Sequence, residues 1–346
     1  MHLAANTFSV SRNIMKATVI KNIEGENKII DIENYPNPLI KNGNDVLIKI
    51  VATSVNPIDL QVFSNKNEAK SVNSDILGRE LSGIVVEKGP FVAKFDIGDE
   101  VYAAVLSMGS NGSFAEFVVA NEEIIAHKPR NLTFEQAASI PVSYVTAWQI
   151  FRRLQNIQEK SIIILGGTTS VGKALIHILT NNDYHNIFAT AGNEESFQQL
   201  LKLKVNPEKL LSYRSENFVQ NSLASNGSRN FDIVIDCVGN KMSDISGDII
   251  TREGIYVDVT NFRTQVSNNK LFRKAANIMN IARYETADLF HKYGEILEEI
   301  SVFINESNYK PEVMEMGILN SENLQRSFEL LEKNLTKSRK IILKNN

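Results

Sequence analysis

Residues 161–179 read Ser-Ile-Ile-Ile-Leu-Gly-Gly-Thr-Thr-Ser-Val-Gly-Lys-Ala-Leu-Ile-His-Ile-Leu. An apolar, β-branched run meets a glycine-rich turn, and an amphipathic stretch follows; this order describes a strand entering a helix through a tight turn. Gly166 and Gly167 permit positive φ or close backbone approach. The helix behind them presents unpaired N–H groups and the positive end of its dipole, which together suit a phosphate. Many strand–helix connections use such a turn for geometry alone, so the surrounding sequence decides.

Further strand-like segments lie at Asn186–Ala191, Lys209–Ser212, Phe231–Asp236 and Gly254–Val259, with helical segments such as Glu194–Leu203 between them. Repeated βαβ units of this kind build a parallel sheet, the Rossmann arrangement. The N-terminal part has a different grammar. Lys16–Ile20, Asp45–Ser54, Leu81–Glu87, Glu100–Ala104 and Phe114–Ala120 are short, rich in Val and Ile, and separated by Gly, Asn, Asp and Pro. They predict mostly antiparallel β structure, a small barrel. Asn131 offers a cap and Thr133 with Gln136 a capping box for the helices that follow. Beyond about residue 275 the pattern is helical over Ala287–Ile304 and again near Glu322–Lys333, before a last strand at Lys340–Leu343. The expected fold is α/β, a β-barrel domain joined to a doubly wound parallel sheet.

With 346 residues, 43% hydrophobic and 22% charged, the chain has room for two domains of roughly 100–200 residues each. A formal charge of −3 without a dense basic block argues against a nucleic-acid surface. No apolar stretch of about 18 residues occurs, so no membrane span is expected. Residues 1–14 lack the pattern of a secretory signal and read as an extension ahead of Met15. The single cysteine, Cys237, excludes an intramolecular disulfide and suits a reducing cytoplasm. Zinc is disfavoured by inventory, because a catalytic site takes about three Cys, His or carboxylate ligands and a structural one about four. His2, His127, His177, His185 and His291 show no ligand spacing; His177 reads as an exposed or satisfied helical residue, and Cys237 as a small buried one.

Six motifs carry a family resemblance through their order: Asn56-Pro-Ile-Asp59, Gly78-Arg-Glu80-Leu-Ser-Gly83, Phe95-Asp-Ile-Gly98-Asp99-Glu-Val101, Gly112-Ser-Phe-Ala-Glu116, Pro141–Trp148 with Thr146-Ala147, and Gly166–Gly172. From Met15 onward the chain resembles medium-chain dehydrogenases/reductases, and within them the zinc-free quinone oxidoreductase and enoyl reductase branch. The resemblance implies a GroES-like domain over residues 15–136, completed by 286–346, and a Rossmann domain over 137–285, with a cleft between them for the nicotinamide. It places Asn56, Tyr144 and Thr146 at the nicotinamide end as catalytic candidates. Cofactor contacts would come from Asn56, Thr146, Gly166, Thr168, Thr169, Ser170, Val171, Gly172, Asn193, Tyr213, Cys237 and Val238. Zinc-dependent relatives have histidine beside glutamate where this chain has Arg79 before Glu80, and the tyrosine of mitochondrial-type enoyl reductases is missing from Phe63-Ser-Asn-Lys66.

Without a metal, the expected chemistry is hydride transfer from NADPH to a small polarised acceptor, a quinone or an enone, with the protein orienting the reactants and meeting developing oxyanion charge. Structural readings stand beside these roles. Asn56 and Asp59 can simply cap the turn at Pro57, Thr146 can pack in its helix, and Tyr144 can be an aromatic wall. At the cofactor turn, Thr169 and Ser170 occupy places where the commonest family pattern has glycine, and hydroxyls there can donate to phosphate. NADPH over NADH follows from the absence of a carboxylate at Thr190-Ala-Gly192-Asn193, from Tyr213 and Arg214 after the third strand, and against Ser196, which replaces a basic residue. Glu194 and Glu195 read as first-turn helix acids. A rival reading is a non-catalytic NADPH-binding redox sensor or interaction protein; an RNA-binding role has little support in the charge pattern. A homodimer through an edge strand is expected by resemblance. Substrate-pocket walls are assigned to loops at Ser64–Asp75 and Asn261–Asn280.

Overall fold

A computed structural model describes residues 13–64, 74–105, 110–281 and 290–345. Of the extension read over residues 1–14, residues 1–12 lie outside the described residues, as do most of the loop after Ser64 and the start of the helix read from Ala287; Ile14 already belongs to the first strand. The chain divides into two compact units, residues 1–145 with 284–346, and residues 146–283.

The first unit opens with β1 (Ile14–Ile23) and β2 (Glu26–Pro36), antiparallel, with Ile23 opposite Glu26 across a two-residue turn. β2 escaped the sequence reading because its apolar residues are interleaved with charges and are only half-buried. Next come β3 (Asp45–Val55), α1 (Pro57–Phe63), β4 (Glu80–Lys88), β5 (Glu100–Ala104), β6 (Phe117–Asn121), β7 (Ile125–His127), α2 (Phe134–Ala137) and α3 (Pro141–Arg153), the last running on into the second unit. The capping box is present: Thr133 Oγ1 accepts from Gln136 N at 3.3 Å, and Gln136 Oε1 accepts from Thr133 N at 3.2 Å.

The second unit comprises β8 (Ile162–Leu165), α4 (Ser170–Thr180), β9 (Ile187–Ala191), α5 (Glu194–Lys202), β10 (Leu210–Ser212), α6 (Phe218–Ser225), β11 (Phe231–Asp236), α7 (Lys241–Ile249), β12 (Ile250–Asp258), α8 (Gln265–Arg273) and β13 (Asn277–Asn280). The chain then returns to the first unit with α9 (Phe290–Ser307), β14 (Val313–Ile318), α10 (Ser321–Glu332) and β15 (Lys340–Lys344).

In the first unit the strand order is β14-β15-β3-β4-β5-β7, with β6 also on β3. β15 runs antiparallel to β3, with Ile341 opposite Val55 and Leu343 opposite Thr53. That register carries Lys340 to the corner where β3 ends and Asn56 begins α1.

The second unit has the order β10-β9-β8-β11-β12-β13, every pair parallel. Counted from β8 this is 3-2-1-4-5-6, the doubly wound order, and the reversal falls between β8 and β11, where such sheets receive ligands at their carboxyl ends. β8 is buried along its whole length, as a strand covered on both faces must be. Phe188 and Phe231 meet nearly edge-on, 5.0 Å between centroids, in the core beneath. One expectation is corrected here: Asn261–Asn280, read as loop, contains α8 and β13. β13 is Asn-Ile-Met-Asn with mostly exposed side chains, so no apolar pattern announced it.

Candidate active site

The turn after β8 is built from its own residues. Gly166 has φ +79°, and its N–H donates to Thr190 Oγ1 at 2.8 Å. Thr169 is the N-cap of α4: its hydroxyl accepts from Gly172 N at 3.0 Å and donates to Gly166 O at 2.8 Å. The Thr169 hydroxyl is therefore spent inside the turn, leaving the Ser170 hydroxyl and the first-turn N–H groups of Ser170 and Val171, which have no intrahelical acceptor. Gly172 lets α4 start directly under the turn, since a Cβ there would lie 2.3 Å from Gly166 O. From β11, Asp236 Oδ1 accepts from Val238 N at 2.9 Å and Gly239 N at 2.8 Å. That turn sets Val238 and Cys237 against Gly166, where an added Cβ would meet them at 2.6 and 3.5 Å. Burial pushes the Cys237 thiol up to about 12, with Asp236 adding to it, so it stays a thiol. The backbone donors, the helix start and the glycine spacing fit a nucleotide pyrophosphate.

Two strands away, Ser212 of β10 pairs with Ala191 of β9. Asn193 caps α5 by accepting from Ser196 N at 2.9 Å. Tyr213 is 41% exposed, and its hydroxyl lies where a side chain on Gly192 would begin, 2.4 Å from that Cβ position. Arg214 stands over the Tyr213 ring, 5.9 Å from its centroid. Glu194 accepts from Gln198 at 2.7 Å along its own helix.

In the first unit a buried polar cluster gathers at the β3–α1 corner. Asn56 is the N-cap of α1, yet its side chain turns inward: Nδ2 donates to Glu80 Oε1 at 3.0 Å, and Oδ1 accepts from Lys340 Nζ at 2.5 Å. Lys340 Nζ also meets Glu80 Oε1 at 2.6 Å. Ser54 donates to the same carboxylate oxygen, and Val142 N, in the first turn of α3, donates to Glu80 Oε2 at 2.7 Å. Tyr144, two residues on, is buried with its ring 6.2 Å from that of Tyr309; burial, then Tyr309, hold its phenol well above the ordinary range. Thr146 lies half-buried one half-turn further along α3.

Asp59 accepts from Asn56 N at 2.8 Å through one oxygen, while the other is buried without a hydrogen bond. Burial raises it from the ordinary 3.8 to about 6, against the opposing pull of Arg79. A carboxyl more basic folded than unfolded favours the folded state below pH 4 and loses that contribution as pH rises through 6. Asp59→Asn keeps the acceptor and removes the titration. Urea unfolding is expected to show it gaining about 2–2.5 kcal/mol on wild type between pH 4 and pH 7. A constant difference across that range would show that Asp59 does not titrate as a buried acid.

The structure thus brings Gly166, Thr169, Gly172, Cys237 and Val238 together, and separately joins Asn56 to a cluster that the sequence reading did not assemble. Glu80 was read only against the zinc pattern and Lys340 only as the start of a strand; Thr190 and Asp236 had no motif of their own. His177 is buried rather than exposed, and burial pushes it down to about 4, so it is neutral at physiological pH. Among the described residues no group of three or more His, Cys, Asp or Glu is placed to hold a metal, and no helix is long and apolar enough to cross a membrane.

Residues 42–130 match the alcohol dehydrogenase GroES-like domain family. The bovine mitochondrial NAD(P)H oxidoreductase RTN4IP1 is 34% identical over 68% of this chain and 62% of its own length. An Arabidopsis thaliana chloroplastic NADPH-dependent alkenal/one oxidoreductase is 27% identical over 92% of this chain and 77% of its own length. The quinone oxidoreductase of Coxiella burnetii superposes with a TM-score of 0.79 at 26% identity, covering 96% of this chain and 99% of that one. This chain belongs to the medium-chain dehydrogenase/reductase superfamily. Its matches span less than two thirds of the mammalian RTN4IP1 relatives, 62% of the bovine and 65% of the human protein. For a medium-chain dehydrogenase/reductase, the GroES-like unit and the doubly wound unit described above are the expected pair.

Proposed function

We propose that the protein is an NADPH-dependent, zinc-independent oxidoreductase that transfers hydride to a quinone, an enone or a similarly activated double bond. The observation that carries this is the β8–α4 turn: a capped helix start with Gly172 under Gly166 and first-turn N–H groups facing the carboxyl end of a parallel sheet. Bound NADPH would supply the hydride. The protein's own part is to hold the pyrophosphate on Ser170 and Val171, to present a polar, charge-balanced corner around Asn56, and to exclude water from the reacting centre.

NADPH is preferred over NADH in this reading because β9 ends in Ala191-Gly192-Asn193 without a carboxylate, while Tyr213 and Arg214 stand beside it. Among the described residues no carboxylate pairs with the Arg214 guanidinium, which leaves it for a 2′-phosphate. Zinc independence rests on the donor set: Glu80 is already committed to Lys340, Asn56, Ser54 and Val142 N, with cations on both sides in sequence or space. Turnover is expected to be unchanged by EDTA dialysis, checked by metal analysis; loss restored by added zinc would overturn that part.

Fluorescence titration with NADPH and NADH, followed by an acceptor screen, tests the whole reading. Tight NADPH binding with acceleration by quinones or enones is expected, and Arg214→Ala should weaken NADPH by about tenfold or more while leaving NADH within twofold. Tight binding without turnover of any acceptor would favour the sensor reading. We also propose a homodimer through β13, the edge strand, where Ile278 and the neighbouring Phe272 are exposed; light scattering on the eluted protein checks it. A cytoplasmic location remains our proposal, and imaging of the tagged full-length protein decides between it and the mitochondrial location printed for the RTN4IP1 relatives.

A further inference from the structure

We propose that the buried aspartates Asp236 and Asp258 tune the cofactor: their negative charge stabilises the oxidised, cationic nicotinamide ring and so favours the release of hydride. The two carboxylates end neighbouring parallel strands, β11 and β12, and stand opposite each other in the register. They are 0% and 2% exposed. Asp236 Oδ2 accepts from Tyr256 Oη at 2.8 Å, and its Oδ1 serves Val238 N and Gly239 N. Asp258 Oδ1 accepts from Thr260 N at 3.1 Å and Asn261 N at 2.8 Å. Its Oδ2 accepts no hydrogen bond and is met only by the charge of Arg263, whose Nε lies 2.9 Å away.

The charges do not balance. Two buried carboxylates share one guanidinium, and among the described residues no other cation pairs with either of them. Burial, with Asp258 adding to it, raises the Asp236 carboxyl above its ordinary value, so the surplus is held against the cost of lost water. A buried charge without a counter-ion in its own chain suits a ligand of opposite sign.

The surplus lies at the nucleotide end of the sheet. Val238 and Cys237, set by Asp236, stand against Gly166 of the phosphate turn. The loop after β12 is locked onto the same place: Phe262 O accepts from Asn240 N at 2.8 Å, and a Cβ on Gly239 would meet Phe262 Cβ and Thr260 Oγ1, both at 2.6 Å. In the 3-2-1-4-5-6 order a dinucleotide crosses the switch point with one half on each side. The NADPH reading, on which this inference rests, seats the adenosine half beside Tyr213 and leaves β11 and β12 to the nicotinamide half. The oxidised ring carries one positive charge more than the reduced ring, and carboxylates already in place meet that charge as it develops.

The test is titration of the full chain at pH 8 with NADP+, NADPH and 2′-phospho-ADP-ribose, which lacks the ring. Asp236→Asn keeps an acceptor for Val238 N and Gly239 N and removes the charge. It is expected to weaken NADP+ by about fivefold or more, while NADPH and the ringless ligand move less than about twofold. Asp258→Asn, which keeps the acceptor for Thr260 N and Asn261 N, should shift the same way. Arg263→Gln enlarges the surplus and should tighten NADP+ relative to NADPH. A purely structural role would move all three ligands together. An unchanged ratio of NADP+ to NADPH affinity in either folded aspartate variant overturns the proposal. So does equal tightening of all three ligands, which would mean that the carboxylates act on the phosphates. A wild-type chain that binds none of the three removes the nucleotide reading and this inference with it; one that binds them, with no shift in the variants, removes this inference alone.

Discussion

Gly172→Ala is expected to abolish nucleotide binding. The added methyl would sit 2.3 Å from Gly166 O and 2.9 Å from Gly167 O, both backbone atoms. A side chain in the way rotates; a carbonyl fixed by a strand end does not. Helix α4 must therefore lift from the turn, carrying the N–H groups of Ser170 and Val171 off the phosphate position. We expect the Kd for NADPH to rise by roughly 100-fold or more, since several charge-assisted hydrogen bonds are lost together. Stability should fall by about 1–3 kcal/mol in urea unfolding, the usual cost of overpacking. Gly25→Ala, in the other unit, is strained by its φ of +90° although its methyl meets nothing within 4 Å; it is the control for lost stability and should bind NADPH as wild type does. Normal affinity in Gly172→Ala would mean that the phosphate is not held at this turn.

Glu80→Ala should be the most destabilising change in the first unit. It leaves Lys340 buried beside Asn56 without a counter-ion and removes the acceptor of Ser54 and of Val142 N. Breaking one side of a buried pair costs about 3–5 kcal/mol, which for a chain of this size lowers Tm by roughly 4–7 °C. Glu80→Leu/Lys340→Met, which removes both charges, should recover most of that loss. A double-mutant cycle checks it, with a coupling above about 2 kcal/mol expected. Additive losses in the cycle would show that the two charges do not depend on each other.

The doubly wound unit was legible because its signals are local. Residues 161–179 hold strand, turn and helix in one run, and β9, β10, β11 and β12 each carry an apolar stretch bounded by turn residues. Thr133 with Gln136 announced a capping box for the same reason. The elements that escaped, β2 and β13, have side chains too exposed to need an apolar pattern, so only their neighbours make them strands.

The sequence by itself determined the doubly wound unit, the β-rich unit and the glycine turn, since period, turn chemistry and capping act over a few residues. The polar corner was decided by tertiary structure alone. Asn56, Glu80 and Lys340 are separated by 24 and 260 positions along the chain, and no local preference links them. They meet because β15 returns beside β3 in the register that sets Ile341 opposite Val55, and because a buried carboxylate draws to itself the donors that offset its loss of water.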